Sequence, residues 1–332
     1  MQPMSSPIPL SVLDLATIVQ GADAADAFRR SVALAQAAER FGYTRYWFAE
    51  HHNMESVASA ATSVLIGHVA AQTSAIRVGA GGIMLPNHAP LLIAEQFGTL
   101  AALHPGRIDL GLGRAPGTDP VTSHALRRSL QGADDFPRDV QELLAYLAPR
   151  DASARVRAIP GEGSEVPVWI LGSSTYGAQL AAVLGLPFAF ASHFAPTHLQ
   201  EALYIYRERF RASRYLAAPY ALACVNALAA GTDAEAQHLA TSFYRLILGL
   251  VRNHRQPLAP PVVSMDGHWN DAERAAVQHM ARYAFVGSAA TVKEGLDDFI
   301  AETGVQEVMI TTNTFDLDAR IRSYELIAGI MG

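Results

Sequence analysis

The chain has 332 residues, half of them hydrophobic, and 31 acidic against 25 basic residues give a formal net charge of -6. This is enough apolar sequence for one large core. It contains no basic cluster of the kind that binds nucleic acid or an anionic membrane. The single cysteine, Cys224, excludes an intramolecular disulfide and favours a reducing, cytoplasmic location. No basic segment followed by an apolar run precedes Pro9, so we expect no secretion signal.

Strand and helix patterns alternate along the whole chain. Eight short apolar segments are predicted to be strands, at 9–15, 45–49, 76–80, 107–112, 168–171, 188–192, 220–228 and 307–311. Helices are predicted at 28–41, 59–72, 90–103, 134–147, 175–184, 197–214, 234–251, 291–302 and 320–330. Eight strand–helix units without a dividing linker predict a single domain over residues 1–332, an α/β protein folded as a TIM (β/α)8 barrel.

Two connections are too long for simple strand–helix units, and we predict insertions after the fourth and seventh strands. Their irregular parts are residues 150–165 and 252–287, the second of which contains a polar helix. Long excursions in a barrel are either active-site lids or surface decoration, and the sequence does not distinguish these two interpretations.

The second predicted strand ends abruptly in Glu50, His51, His52 and Asn53, which offer a carboxylate, two imidazoles and an amide. Parallel α/β proteins place their chemistry at the carboxyl ends of the strands. Because successive side chains on a strand point in opposite directions, His51 and His52 are not expected to share a site. One should face the barrel interior, and the other should be structural.

Several common catalytic motifs are absent from the sequence. There is no His-Glu-x-x-His and no cysteine–histidine cluster, so we predict no metal site. There is no Gly-x-Ser-x-Gly elbow for a serine nucleophile. Residues 111–114, Gly-Leu-Gly-Arg, follow a strand but do not match the dinucleotide-binding fingerprint.

An anion site is predicted where the fifth strand meets its helix, at residues 171–177, Leu-Gly-Ser-Ser-Thr-Tyr-Gly. Free backbone N–H groups, hydroxyl groups and the positive end of a helix dipole together can hold a phosphate. The alternative is an ordinary helix cap made by one of the hydroxyls. Arg114, at the end of the fourth strand, could reach the same anion or form a surface ion pair.

A third feature is the lack of side-chain bulk where Ala80, Gly81 and Gly82 leave the third strand. Such a stretch either allows a planar ligand to approach the backbone closely or forms a β-bulge.

Together these segments resemble the bacterial luciferase-like monooxygenase family. The resemblance runs from about the first strand to the last helix, with the segments in family order and spacing, and residues 111–119 resemble its non-luminescent, single-type subgroup. The segments are 50–52 (Glu-His-His), 78–86 (Val-Gly-Ala-Gly-Gly-Ile-Met-Leu-Pro), 94–95 (Ala-Glu), 106–107 (Gly-Arg), 111–114 (Gly-Leu-Gly-Arg) and 171–174 (Leu-Gly-Ser-Ser).

The resemblance implies a barrel that binds reduced FMN at the carboxyl ends of its strands. His51 matches the catalytic histidine of the family, and Gly81–Gly82 matches a non-prolyl cis peptide beneath the flavin ring. Asn53 and His193 are predicted to line the substrate pocket. Gly177 replaces a hydroxyl residue of the luciferases, so Tyr176 or backbone N–H groups would substitute. The predicted cofactor-binding residues are Ala80, Gly81, Gly82, Arg114, Ser173, Ser174, Tyr176 and Gly177.

We therefore expect a flavin-dependent monooxygenase that uses reduced FMN and O2 to oxygenate a small organic substrate. A separate NAD(P)H:flavin reductase would supply the reduced FMN, since no nicotinamide motif is visible. The family pairs the helices that correspond to 59–72 and 90–103 across a two-fold axis, so we expect a homodimer. Two alternatives stay open: hydride transfer with the deazaflavin F420 on the same fold, and a flavin-binding protein without turnover.

Overall fold

The computed structural model describes residues 8–115, 117–126 and 135–331. The strands in these ranges are β1 (Leu10–Asp14), β2 (Arg45–Phe48), β3 (Arg77–Met84), β4 (Ile108–Gly113), β5 (Val168–Gly172), β6 (Phe188–Phe190), β7 (Ala221–Ala230), β8 (Ala284–Ser288) and β9 (Glu307–Thr311). They pair in parallel from β1 to β7, and β9 closes the ring between β7 and β1. The predicted eight-stranded TIM barrel is confirmed.

Helices surround this ring. In the described ranges they are α1 (Ala24–Arg40), α2 (Thr62–Ala70), α3 (Pro90–Leu103), α4 (Pro120–Ala125), α5 (Phe136–Leu147), α6 (Thr175–Leu184), α7 (Leu199–Arg209), α8 (Asp233–Val251), α9 (Asp271–Met280), α10 (Ala289–Thr303) and α11 (Leu317–Met331). The predicted start of the fourth helix, at residue 134, lies outside the described residues. Among the helices described, none is both long and apolar enough to cross a bilayer.

Side chains of β2 show how the barrel is filled. Trp47 points inward, whereas Tyr46 and Phe48 pack against the helices, and all three are fully buried. Both faces of a parallel barrel are covered, which explains the unbroken aromatic run. Inside, Trp47 meets Trp169 edge to face with ring centroids 5.1 Å apart. Gly79 makes room for the Trp47 indole, because a Cβ there would lie 2.9 Å from its nitrogen.

The amino-terminal end of the barrel contains a network of charged side chains. The Arg45 guanidinium donates to Asp109 and to Glu307, each at 2.9 Å, and both carboxylates are inaccessible to solvent. A cavity of about 610 Å³ opens at this end, with Arg45, Arg77 and Trp169 among its lining residues. This network ties the starts of β2, β4 and β9 together, so we assign it a structural role.

One strand, β8, was missed by the sequence prediction. It pairs with the second half of β7, Asn226–Ala230, beyond the part of β7 that pairs with β9. It therefore extends the sheet outside the barrel ring. Its short apolar run, Ala-Phe-Val, is compatible with a strand, but it lies at the end of 252–287, which was predicted to be an insertion.

The two excursions differ in position. Residues 150–165 pack against the outer helix α3, since a Cβ on Gly161 would lie 2.4 Å from the carbonyl oxygen of Ala94. The second excursion carries its own apolar cluster, centred on Phe243 and Val277, between α8 and α9. Residues 150–165 therefore decorate the barrel wall, and the second excursion is a candidate lid.

Candidate active site

Four of the predicted site residues follow four different strands. His51 lies after β2, Arg114 after β4, Ser173 after β5, and His193 after β6. Because these strands are parallel neighbours in one barrel, their carboxyl ends open on the same face. The hydroxyls, the guanidinium and both imidazoles are thus brought to one barrel mouth.

Glu50 and His52 form the structural half of the segment that follows β2. The His52 imidazole donates to the Glu50 carboxylate at 2.8 Å, and His88 donates from the other side at 2.9 Å. Burial raises the pKa of Glu50, but hydrogen bonds from His52, His88 and the Met84 N–H, together with the charge of His88, outweigh burial and lower the pKa to about 2. The ionised Glu50 carboxylate therefore joins the loops after β2 and β3.

His51 points away from this cluster, as the alternation of side chains predicted. Its Nδ1 lies 3.3 Å from the carbonyl oxygen of Gly117. Burial lowers the pKa of His51 below its usual value; the hydrogen bond with Gly117 opposes this change, and the charge of Arg255 adds to it. The imidazole is therefore neutral near pH 7, and a neutral imidazole can accept a proton.

His193 is a second half-buried imidazole at the mouth. Its Nδ1 is inaccessible and has no hydrogen-bond partner among the described residues. Asn226 holds the backbone in place by donating to the His193 carbonyl at 2.6 Å. Burial and the charge of His51 lower the pKa of His193 to about 3. An unsatisfied buried nitrogen is costly in a closed core, so a rotation of the His193 ring that gives this nitrogen a partner on a bound ligand would be favourable.

The predicted anion loop leads into α6. Ser174 is the N-cap residue, yet its side chain makes no capping hydrogen bond, so the ordinary-cap alternative is not what the structure contains. Ser173 is exposed beside it. The Arg114 guanidinium lies over the ring of Tyr176, with its central carbon 4.0 Å from the ring centroid. A cation, two serine hydroxyls that do not cap the helix and a helix N-terminus are suited to a phosphate.

The backbone at Gly81–Gly82 is cis, as predicted. It packs against β4, because a Cβ on Gly82 would lie 2.7 Å from the carbonyl oxygen of Gly111. On the other side, a Cβ on Gly111 would lie 2.3 Å from the carbonyl oxygen of Ala80. This glycine surface, of which Gly81 is the partly exposed residue, lies on the wall of the barrel between His51 and the anion loop.

Asn53 and Gly177 have supporting positions. Asn53 is exposed, and its amide donates to Asp119 at 3.1 Å, where Asp119 caps α4. It braces the turn after His51, and its contact with substrate stays a prediction. Gly177 is buried in the first turn of α6, where a Cβ would lie 3.2 Å from the carbonyl oxygen of Leu171.

A profile of the family described as luciferase-like monooxygenase matches residues 8–307. The chain belongs to the luciferase-like monooxygenase family. A luciferase-like monooxygenase of Escherichia coli (strain K12) is 52% identical over 320 residues, which is 96% of each chain. The N-acetyl-S-alkylcysteine monooxygenase of Bacillus subtilis (strain 168) is 41% identical over 191 residues, 55% of this chain and 57% of the relative. The predicted family resemblance is confirmed, and this luciferase-like protein is an enzyme.

Solved structures share the same barrel. The crystal structure of apo-MsnO8 has a TM-score of 0.89 at 35% identity and covers 97% of this chain and 98% of its own. More distant ones show the fold alone. The oxygenating constituent of 3,6-diketocamphane monooxygenase from Pseudomonas putida, in complex with FMN, has a TM-score of 0.74 at 18% identity, covering 97% of each chain. An F420-dependent secondary alcohol dehydrogenase has a TM-score of 0.72 at 14%, covering 98% of this chain and 100% of its own.

Some residues at this luciferase-like site were missed from the sequence. His88, which the sequence analysis did not single out, donates to Glu50, and Asn226 supports His193 from within β7. Arg255, in the second excursion, acts on His51 from a position distant in sequence. The one available signal was for His88, which follows the end of β3 as His51 follows the end of β2.

Proposed function

We propose that this enzyme is a flavin-dependent monooxygenase that oxygenates a small organic substrate with reduced FMN and O2. The observation that supports this most is the pairing, at one barrel mouth, of an anion cradle after β4 and β5 with two half-buried, neutral imidazoles after β2 and β6. A phosphate-tailed planar cofactor is complementary to that arrangement: its tail would contact Arg114, Ser173 and Ser174, and its ring would lie along Ala80–Gly82 towards His51.

Reduced FMN, when bound, would supply the reaction with dioxygen, which protein side chains cannot provide. The residues of this chain would do the rest. His51 would accept or donate a proton at the reacting edge, and the His193 ring, once rotated to bring its unsatisfied nitrogen to the ligand, would fix the orientation of the ligand. The glycine surface would let the ring approach the backbone, and the second excursion would exclude water from the mouth.

A separate NAD(P)H:flavin reductase is part of the proposal, because the chain has no nicotinamide-binding fingerprint. One relative suggests which substrates to test first. The relative named for N-acetyl-S-alkylcysteine acts on a compound that carries a thioether and a carboxylate, so such compounds are our first trial substrates.

Hydride transfer with F420 is the second candidate function, because an F420-dependent alcohol dehydrogenase has the same fold. An anaerobic titration of the purified enzyme with FMNH2 and with reduced F420 distinguishes the two. We expect saturable binding of FMNH2 and, in the presence of a flavin reductase, substrate-dependent O2 uptake with product formation. Tight binding of reduced F420 alone, with no O2 uptake, would replace this proposal by the second one.

We also propose that the enzyme is a homodimer. Val64 on α2 and Leu92 on α3 are large apolar side chains that are 68% and 54% exposed in the single chain. Burial of such side chains across a two-fold axis would remove this surface from water. Light scattering should give twice the chain mass, and Val64→Asp should shift it to the monomer, whereas Val183→Asp on α6 should not. A monomeric wild-type mass would contradict the proposal.

A further inference from the structure

Residues 252–262, between α8 and α9, reach the rim of the barrel mouth. The N–H of Leu258 donates to the carbonyl of Ile18 at 2.8 Å, and the N–H of Gln20 donates to the carbonyl of Leu258 at 2.8 Å. The N–H of Ile18 in turn donates to the carbonyl of Ser56 at 2.9 Å. Ile18 follows β1 and Ser56 follows β2, so this segment is held to the carboxyl ends of the two strands.

The same segment is also fixed to its own helices. The Arg252 guanidinium donates to the Glu273 carboxylate at 2.8 and 2.9 Å, and Arg245 donates to the carbonyl of Pro260 at 2.7 Å. The backbone on either side of residue 255 is therefore tied down, which limits the conformational entropy that ligand binding at this position would cost.

Arg255 lies between these fixed points. It is exposed and has no hydrogen-bond or ion-pair partner in the ranges 8–115, 117–126 and 135–331. Leu258, three residues further on, is bonded to the loop after β1, which places Arg255 at the rim of the mouth. In agreement with this position, the positive charge of Arg255 contributes to lowering the pKa of His51. A cation on a backbone held at the rim, without a counter-ion among the described residues, is suited to an anion brought by a ligand.

That anion is not the phosphate of the proposed cofactor. In the ring order, β5 lies four strands from β1 in either direction, so the two are on opposite sides of the barrel. The cradle of Arg114, Ser173 and Ser174 follows β4 and β5, whereas the segment of Arg255 is attached after β1. The two cationic positions therefore lie on opposite sides of the mouth. The cradle at β4 and β5 would bind the cofactor phosphate, and Arg255 would bind an anionic group of the substrate.

We propose that Arg255 binds the carboxylate of an organic acid substrate and thereby determines the substrate specificity of this site. A guanidinium fork matches a carboxylate in two parallel hydrogen bonds, whereas a neutral amide offers it a single acceptor. The carboxylate end would lie on the β1 rim, and the rest of the substrate would extend to His51 and His193. This inference rests on the proposed function for the position of the ring, and on the structure alone for the anion site.

Calorimetric binding with matched probes tests it. N-acetyl-S-methylcysteine and N-acetyl-S-benzylcysteine are each compared with their primary amides, on wild type, Arg255→Gln, Arg255→Lys and Arg274→Gln, with and without FMN. Arg274 is an exposed arginine on α9 and is the matched charge control. We expect wild type and Arg274→Gln to prefer the acids about 10- to 100-fold. Arg255→Gln should remove that preference, Arg255→Lys should keep part of it, and FMN affinity should not change in any variant.

Three results would overturn the inference: equal affinity of wild type for acids and amides, an unchanged preference in Arg255→Gln, or no binding of either series. A loss of FMN affinity in Arg255→Gln, in place of a loss of acid affinity, would reassign the residue to the cofactor. One result would contradict the proposed function and leave this inference standing: wild type binds the acids with the expected preference but binds no FMN.

Discussion

The guanidinium of Arg114 lies over the phenol ring of Tyr176 at 4.0 Å and so connects the end of β4 with the first turn of α6. Because Ser173 and Ser174 lie in the same loop just before Tyr176, this contact brings a cation to the anion loop. The stacking also limits the rotamers of a long side chain, so little further ordering would be required when an anion binds.

Replacing Arg114 with Ala should weaken FMN binding about 10- to 100-fold, because a charge-assisted hydrogen bond to the phosphate is lost. Riboflavin, which lacks the phosphate, should bind wild type and Arg114→Ala with similar affinity. Fluorescence titration measures both. Arg138→Ala on α5, an exposed arginine, is the control and should bind FMN normally. An equal loss for riboflavin would show that Arg114 contacts the ring.

Replacing His51 with Ala should lower turnover by about 10²- to 10⁴-fold, the usual contribution of a positioned proton transfer, while FMN affinity stays nearly the same. The control is His104→Ala, since His104 follows α3 at the opposite end of the barrel. Steady-state rates and flavin titrations on the same preparations give both quantities. Unchanged turnover in His51→Ala would remove this residue from the mechanism.

Glu50 should contribute to stability in a pH-dependent way. Its pKa is about 2 in the folded protein against 4.5 ordinarily, so its ionised form stabilises the fold by about 3 kcal/mol above pH 4.5. This contribution is lost as pH falls from 4.5 towards 2. Urea unfolding of wild type and Glu50→Gln should therefore differ most near pH 6 and by about 2 kcal/mol less at pH 3. A difference independent of pH would mean that the carboxylate charge is not what stabilises the loops.

Gly111→Ala should destabilise the barrel by about 1–3 kcal/mol, because its Cβ would lie 2.3 Å from the carbonyl oxygen of Ala80 and 2.5 Å from Leu171. Gly329→Ala, on the exposed side of α11, meets nothing within 4 Å and should stabilise the protein by up to about 1 kcal/mol. Chemical denaturation of both variants measures the contrast. Equal stabilities would mean that β3 and β4 can separate without cost.

The repeating strands were accessible from sequence because their patterns are local. Trp47 and its neighbours form an unbroken aromatic run that only a doubly covered strand tolerates, and the glycine and hydroxyl residues around Ser174 identify a helix start. His51 could be separated from His52 by strand alternation alone. All of these inferences require a few consecutive residues.

What could not be predicted depends on contacts between distant segments. Three contacts of this kind join residues that are 33 to 204 positions apart. They are the hydrogen bond from His88 to Glu50, the hydrogen bond from Asn226 to His193 and the electrostatic effect of Arg255 on His51. The strand β8 was not predicted because it belongs to an excursion and pairs outside the barrel. In each case the contact depends on residues that are close in space but distant in sequence, and a local sequence pattern does not indicate such contacts.

Two backbone hydrogen bonds at Leu258 hold the second excursion against the loop after β1. Exchange of the amide hydrogens of Leu258 and Gln20 with solvent deuterium requires these two bonds to break. The exchange rates at these two positions therefore measure how often the second excursion separates from the loop after β1.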